Sequence, residues 1–385
     1  MKQVIQIRCK NNKKTQKVEI GSTLFDVFSS FDLKMTHGPV SARVNNKVEG
    51  MHYRVYNSKD VEFLDMTTAS GSRAYTRTLF FVLCKAVQDI YPATDVVIDI
   101  PVSNGFYVDI RLGRPVVDED VNIIRCRMQE IIDARMPIRR FTVPTEDAIT
   151  LFQEKGDVEK VKLLKTSGSI YTTYYKIGEY VDYYYGTLLT NTSQLYLFGL
   201  EKYYDGMLLR IPSLKNPDEL GEMTRQDKMF DIFKEHHRWQ EILGIRTVGD
   251  FNQAIEAGHA TDIINISEAL QEKKLAKIAE DIAQRKGVKL VLLAGPSSSG
   301  KTTSCKRLSI QLAVNGLKPL QISLDDYFVD RDKTPKDENG EYDFESIYAL
   351  NLDLLNDQFN ALFHSRHHFG PCADFDVGKP AADHP

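Results

Sequence analysis

Gly295-Pro296-Ser297-Ser298-Ser299-Gly300-Lys301-Thr302-Thr303 fits the pattern G-x-x-x-x-G-K-[ST] and lies between an apolar run and an amphipathic stretch. The run Val288-Lys289-Leu290-Val291-Leu292-Leu293-Ala294 predicts a buried parallel strand, and Thr303 to Val314 predicts a helix. Strand, glycine loop and helix in this order make a phosphate cradle. Two glycines let the backbone close so that successive N–H groups and the helix N-terminus face an anion. Lys301 adds a positive charge beside the outer phosphates, and small Ser297, Ser298 and Ser299 permit close approach. The Thr302 hydroxyl is placed to hold Mg²⁺. These residues predict a site for ATP with Mg²⁺; the bland alternative is a serine-rich surface turn.

A second element follows at the expected distance. The helix carries Cys305, Leu308, Leu312 and Ala313 on one face, stops at Asn315-Gly316, and leads into Pro319-Leu320-Gln321-Ile322-Ser323-Leu324-Asp325-Asp326. This predicts the next strand of a right-handed βαβ unit with a carboxylate at its C-terminal end, where open parallel sheets bind ligands. Asp325 there can accept the proton of an attacking hydroxyl or help hold Mg²⁺, the tasks that phosphoryl transfer leaves to side chains. The competing reading is that Asp325-Asp326 opens a loop.

Gly295 to Thr303, then Ser323-Leu324-Asp325-Asp326-Tyr327-Phe328, then Tyr342-Asp343-Phe344-Glu345, resemble successive blocks of the uridine kinase and phosphoribulokinase family. The resemblance spans about residues 285 to 380 and implies an α/β P-loop kinase domain that passes the ATP γ-phosphate to a nucleoside or sugar hydroxyl. It assigns Asp325 as catalytic base, with Lys301 on the phosphates. This chain departs from the pattern at Phe328, where the block has tyrosine, at Tyr348, near the place of a ribose-gripping aspartate, and at Ala373 within Pro371-Cys372-Ala373-Asp374-Phe375. The family continues into a third strand and an arginine-rich lid, expected past Pro385, so the domain reads as C-terminally incomplete. Guanine specificity has no Asn-Lys-x-Asp to carry it, and Asp337-Glu338-Asn339-Gly340 is a weak D-x-x-G match in a polar loop. His364, His367 and His368 are a poor metal candidate in a segment without hydrophobic period.

At 385 residues and 42% hydrophobic content the chain has material for two or three domains. A net charge of −4 argues against a protein that coats nucleic acid. Cys9, Cys84, Cys126, Cys305 and Cys372 lack C-x-x-C spacing and predict a reducing cytoplasm without structural zinc. No apolar run reaches the ~18 residues of a membrane helix.

The first ~66 residues read as a separate unit: a hairpin from Val4 to Ile7 and Gln16 to Ile20, and a helix capped by Ser22 or Thr23 with Leu24, Val27, Phe28 and Phe31 inside. Strands from Val40 to Val44 and Val61 to Leu64 complete it. The pattern resembles the β-grasp TGS domain of threonyl-tRNA synthetases, which implies a regulatory or RNA-contacting module; Lys10, Lys13, Lys14 and Lys17 more simply form a solvated hairpin face. Residues 67 to 230 continue the resemblance. Tyr91-Pro92, Asn104-Gly105-Phe106-Tyr107-Val108-Asp109 and Gly178-Glu179-Tyr180-Val181-Asp182 are similar to pieces of the synthetase's second additional domain, an α+β editing domain. Its H-x-x-x-H and C-x-x-x-H pairs fall here on Arg77 and Phe81 and on Tyr184 and Leu188, which implies that editing is absent. The tyrosines from Tyr171 to Tyr185 suit strand packing better than base stacking. Residues 231 to 286 predict a helical connector, with Leu270, Leu275, Ile278 and Ile282 facing the kinase region and His236 and His237 on the surface.

The expected function is thus ATP-dependent phosphorylation of a nucleoside by a cytoplasmic enzyme with an N-terminal TGS and synthetase-like extension. The alternative is an ATP-binding regulatory protein that contacts tRNA or ribosomal RNA. The nucleoside and the oligomeric state stay open.

Overall fold

The computed structural model describes residues 3–92 and 94–364. They form two compact units, the first ending at Ala260 and the second beginning at Thr261.

The first unit opens with strands β1 (Val4–Cys9) and β2 (Thr15–Glu19), helix α1 (Leu24–Ser30), and strands β3 (Ser41–Val44), β4 (Lys47–Glu49) and β5 (Lys59–Leu64). The sheet order is β2-β1-β5-β3-β4, with β1 and β5 parallel, as the β-grasp reading requires. Thr23 starts α1 through a reciprocal cap: Asp26 N–H donates to its hydroxyl at 3.2 Å and Thr23 N–H donates to the Asp26 carboxylate at 2.8 Å. Leu24 and Val27 then enter a closed core with Ile7, Phe31, Met51, Val61 and Phe63.

Helix α2 (Ala69–Ile90) begins the next layer, followed by β6 (Val96–Val102), β7 (Gly105–Ile110), α3 (Asp118–Asp133), β8 (Arg139–Pro144), α4 (Thr145–Glu154) and α5 (Val158–Thr166). Then come β9 (Tyr171–Ile177), β10 (Tyr180–Tyr183), β11 (Gly199–Tyr203) and β12 (Gly206–Arg210). They form a three-stranded sheet, β10-β9-β8, and a four-stranded sheet, β11-β12-β7-β6. Ser103 and Asn104, both at φ 54°, make the tight β6–β7 turn, since positive φ at two positions matches the strand twist. Apolar faces of α2 and α3 (Tyr75, Leu79, Val82, Ile124, Met128) pack with Val108, Met207 and Leu209 of the sheet. Asp120 at the start of α3 is 3% exposed and fully employed: Arg114 donates two bonds at 2.6 and 2.7 Å, Tyr91 Oη one at 2.6 Å and Val117 N–H one at 2.9 Å.

The segment expected as one helical connector is helical but divided. α6 (Asp227–Leu243) and α7 (Val248–Glu256) belong to the first unit, where Lys162 of α5 binds Asp250 of α7 at 2.8 Å. α8 (Ala260–Gln284) falls in the second unit and packs through Ala279, Leu275, Ile278 and Ile282 on Leu308 and Leu312 of α9 (Lys301–Val314). Arg307 and Gln311 of α9 both bind Glu272 of α8. α10 (Leu352–His364) closes the described chain.

One expectation is corrected. Val288 to Ala294 and Pro319 to Asp326 are expected as strands of one βαβ unit, but among the described residues neither enters a sheet, Leu324–Tyr327 forms a short 3-10 turn, and Leu292 is 78% exposed. A parallel pair persists only when both faces are covered. Here α8 and α9 bury their apolar stripes on each other and leave these runs uncovered.

Two tests follow from this packing. Gly71→Ala improves intrinsic helix propensity, but the new Cβ meets Asp65 O at 1.8 Å. A loss of about 1–3 kcal/mol in urea unfolding is expected rather than a gain. The Arg114 fork, outweighing the opposing effect of burial, holds the Asp120 carboxyl well below the usual range. Its stabilisation is therefore present above the ordinary carboxylate pKa and is lost as pH falls through the lowered one. Asp120→Asn should cost about 2 kcal/mol at neutral pH, with the difference from wild type shrinking below about pH 4.

Candidate functional site

In the second unit the backbone curls around the Lys301 side chain. Ser298 takes φ 59° and Gly300 takes φ 81°, the latter as the residue that caps α9. Lys301 Nζ donates to the carbonyls of Gly295 at 2.8 Å and Pro296 at 3.0 Å, so its ammonium lies inside the loop. Ser299 N–H donates to Pro296 O at 3.3 Å, and Ser304 N–H closes the first helical bond on Gly300 O at 2.9 Å. A Cβ on Gly295 would lie 2.8 Å from Ser299 Oγ, while Gly300 is required by its positive φ rather than by crowding. Ser297, Thr302 and Thr303 are exposed at the same end of α9. These residues fit a phosphate group: an ammonium whose present partners are neutral carbonyls, left-handed residues at Ser298 and Gly300, and a helix N-terminus. Thr302 supplies an exposed hydroxyl suited to Mg²⁺.

Asp325 lies in a short 3-10 turn, Leu324–Tyr327, where its N–H donates to Ser323 Oγ at 3.4 Å and its side chain is exposed. The turn is anchored by Tyr327, which is buried, donates to Gln358 Oε1, and receives Asn351 N–H on its carbonyl at 2.7 Å. Among the described residues no hydrogen bond or ion pair joins Asp325 or Asp326 to the glycine loop. The Asp337 carboxylate accepts N–H groups of Asn339 and Glu341, both at 2.9 Å, and so closes its own turn, a structural role for the weak D-x-x-G match. His364 bonds to Asn360 O at 2.8 Å; His367, His368 and Pro371 to Phe375 lie outside the described residues. Among the described residues no group of histidine, cysteine and acidic side chains could hold a metal.

In the first unit the positions aligned with editing residues lie on α2 and on the chain after β10, which pack against each other. Arg77 and Phe81 lie one turn apart on α2, and the chain after β10 brings Tyr184 against Phe81 and Gly186 against Arg77, with Leu188 buried in the same core cluster as Phe81. Phe81 is fully buried, with its ring centroid 5.7 Å from that of Tyr184 and 5.2 Å from that of Tyr180. Behind them Lys160 Nζ binds Asp182 at 2.7 Å and Asp157 at 2.6 Å, while Tyr180 Oη donates to Asp182 at 3.0 Å. Desolvation acts to lower the Lys160 ammonium, yet the Asp182 and Asp157 carboxylates outweigh it and hold the group above its ordinary value. Desolvation, reinforced by Asp182, pushes the Cys84 thiol up to about 12 and keeps it protonated and unreactive. The cleft is therefore filled by aromatic rings and a closed ion network. This network was missed in the sequence, where Lys160 and Asp182 look like ordinary surface charges.

Most of the tyrosine run packs, as expected: Tyr174, Tyr175, Tyr180, Tyr183 and Tyr184 join apolar clusters. Tyr171 and Tyr185 do not and stand exposed. His236 is exposed, whereas His237 binds Asp99 at 2.9 Å.

No protein-family model matches the chain. It is similar to the threonine–tRNA ligase of Acetivibrio thermocellus, 29% identical over 243 residues that cover 56% of this chain and 38% of that protein. The threonine–tRNA ligase of Syntrophotalea carbinolica is 29% identical over 224 residues, covering 55% and 35%. That of Clostridium kluyveri is 28% identical over 193 residues, covering 50% and 30%. The chain thus spans less than two fifths of the length of these curated relatives, and the similarity takes in about half of this chain, in keeping with a synthetase-like part.

Removing one member of the filled cleft should cost more than removing both. Lys160→Met leaves Asp182 inside without its cation, at an expected cost of about 3–5 kcal/mol, whereas Lys160→Met with Asp182→Leu should recover much of it. Chemical unfolding of the two variants measures the difference.

Proposed function

We propose that the chain is an ATP-dependent phosphotransferase whose acceptor is a hydroxyl of a nucleoside-type substrate, working in the cytoplasm. The observation that carries this reading is the glycine loop folded around Lys301 at the start of α9. With ATP bound, Lys301 exchanges its two carbonyl partners for outer phosphate oxygens, and the N–H groups of residues 297–302 face the same anion. Thr302, with Asp325, would hold Mg²⁺, which neutralises charge on the phosphates. Asp325 accepts the proton of the acceptor hydroxyl as the new O–P bond forms and the bond between the γ-phosphorus and the bridging oxygen breaks, releasing ADP. Free thiols at Cys9, Cys84, Cys126 and Cys305 fit a reducing compartment.

The first unit has its own reading as an RNA-contacting module. Its similarity to threonine–tRNA ligases supports contact with tRNA or a tRNA-like strand. Its filled cleft, with Phe81 and Tyr184 in the aligned positions, supports contact without editing. A regulatory nucleotide-binding protein is the form this function takes if no acceptor is phosphorylated.

The test is Mg²⁺-dependent transfer from labelled ATP to a panel of nucleosides and sugar phosphates. Lys301→Ala and Asp325→Ala should each lower kcat/KM by about 10²-fold or more while the unfolding midpoint stays put, since both side chains are exposed. Transfer that survives Asp325→Ala would remove that residue from its assigned role. ATP binding without transfer to any acceptor would favour the regulatory form.

A further inference from the structure

We propose that Arg77, together with Arg73 one turn earlier on α2 and the Tyr185-Gly186 turn beside it, forms a binding site for the phosphate group of a nucleotide. The site is separate from residues 295–303. It deepens the RNA-contacting reading of the first unit, and only its oligonucleotide form rests on that reading.

The first observation is an arginine without a counterion. Arg43, Arg114, Arg127 and Arg210 each bind a carboxylate, but Arg77, which is partly buried, has neither an ion pair nor a hydrogen-bond acceptor among the described residues. Arg73, four residues before it on the same helix face, reaches only Ser70 Oγ at 3.4 Å. Burial and the like charge of Arg73 both press the Arg77 guanidinium below its ordinary value. Glu49, the carboxylate near this corner, is already bound by Lys47 at 3.0 Å and Arg140 at 3.7 Å. Two guanidinium forks on one face with no anion between them have the charge and the planar donor geometry that suit a phosphate.

The second observation is the turn that faces them. A Cβ on Gly186 would come within 2.7 Å of Arg77 Nη1, so only glycine lets the guanidinium lie against this backbone. Tyr175 Oη donates to Gly186 O at 2.9 Å and fixes the turn. Tyr185 next to it is 70% exposed and held edge-to-face on Tyr183, with centroids 5.2 Å apart. An exposed aromatic ring one residue from the glycine that Arg77 lies against offers a base a stacking face beside a phosphate donor.

The phosphate could belong to a free mononucleotide or to a single-stranded RNA. The experiment is fluorescence anisotropy of a labelled hexauridylate with the full chain from about 50 to 200 mM salt, with uridine monophosphate as competitor. Arg77→Gln and Arg73→Gln should each weaken binding and reduce the slope of log K against log salt by about 0.7, the contribution of one phosphate contact in a single strand. Arg77→Lys should retain most of the slope, and Tyr185→Ala should weaken binding about fivefold or more. Competition by the monophosphate that disappears in Arg77→Gln assigns a free nucleotide, and competition by oligomers alone assigns RNA. Hexauridylate binding unchanged by Arg77→Gln and by Arg73→Gln, the latter at an exposed position, would overturn the site while leaving RNA contact standing. No binding of either probe at about 50 mM salt would overturn the site, and for the hexauridylate it would count against RNA contact too.

Discussion

The Thr78 hydroxyl holds the first unit together at the point where its chemistry is decided. It is buried in α2, donates to Ala74 O at 2.7 Å and accepts Leu189 N–H at 2.9 Å, so the chain after β10 is pinned to the helix. One turn earlier the Tyr75 hydroxyl accepts N–H groups from Tyr196 and Leu197 at 3.0 and 2.9 Å and donates to Leu197 O at 2.8 Å. Buried polar groups with every bond made define one arrangement, because each alternative leaves a donor or acceptor unpaired. Phe81 meets Tyr184 and Arg77 meets Gly186 where these bonds pin the chain, whatever chemistry the side chains can perform.

What those side chains do is close the cleft. Phe81 and Tyr184 fill it, Lys160 and Asp182 neutralise each other behind the rings, and Cys84 stays protonated. The unpaired positive charge is left at the rim, on Arg77 and Arg73. The loop around Lys301 in the second unit follows the opposite principle. Its ammonium rests on neutral carbonyls and its flanking residues are exposed, so a strong anion can displace the internal bonds at small cost. One cleft is closed by packing, and the other loop has the features of a site that exchanges ligands.

The sequence made the local elements legible and the long-range ones much less so. The Thr23 cap, the β1–β2 hairpin and the helix after Gly300 each depend on residues within a few positions of one another, and periodicity and turn chemistry expose them. The runs 288–294 and 319–324 have strand composition, but a strand is completed by partners that composition does not supply, and here the runs stay exposed and unpaired. The Lys160–Asp182 pair joins α5 to β10 across the intervening β9, and nothing in either residue's neighbours marks it as buried. The convergence at Arg77 was visible only through resemblance to a longer synthetase pattern. That its guanidinium would lack a counterion was visible in no pattern, because pairing is a property of the folded surface.

Hydrogen–deuterium exchange of the full chain with and without about 1 mM Mg²⁺-ATP tests the nucleotide site most directly, since it reads the loop amides themselves. Protection confined to residues 296–304 and abolished by Lys301→Ala is the expected result. Equal exchange across that segment in both conditions would contradict the assignment of the loop as the ATP site.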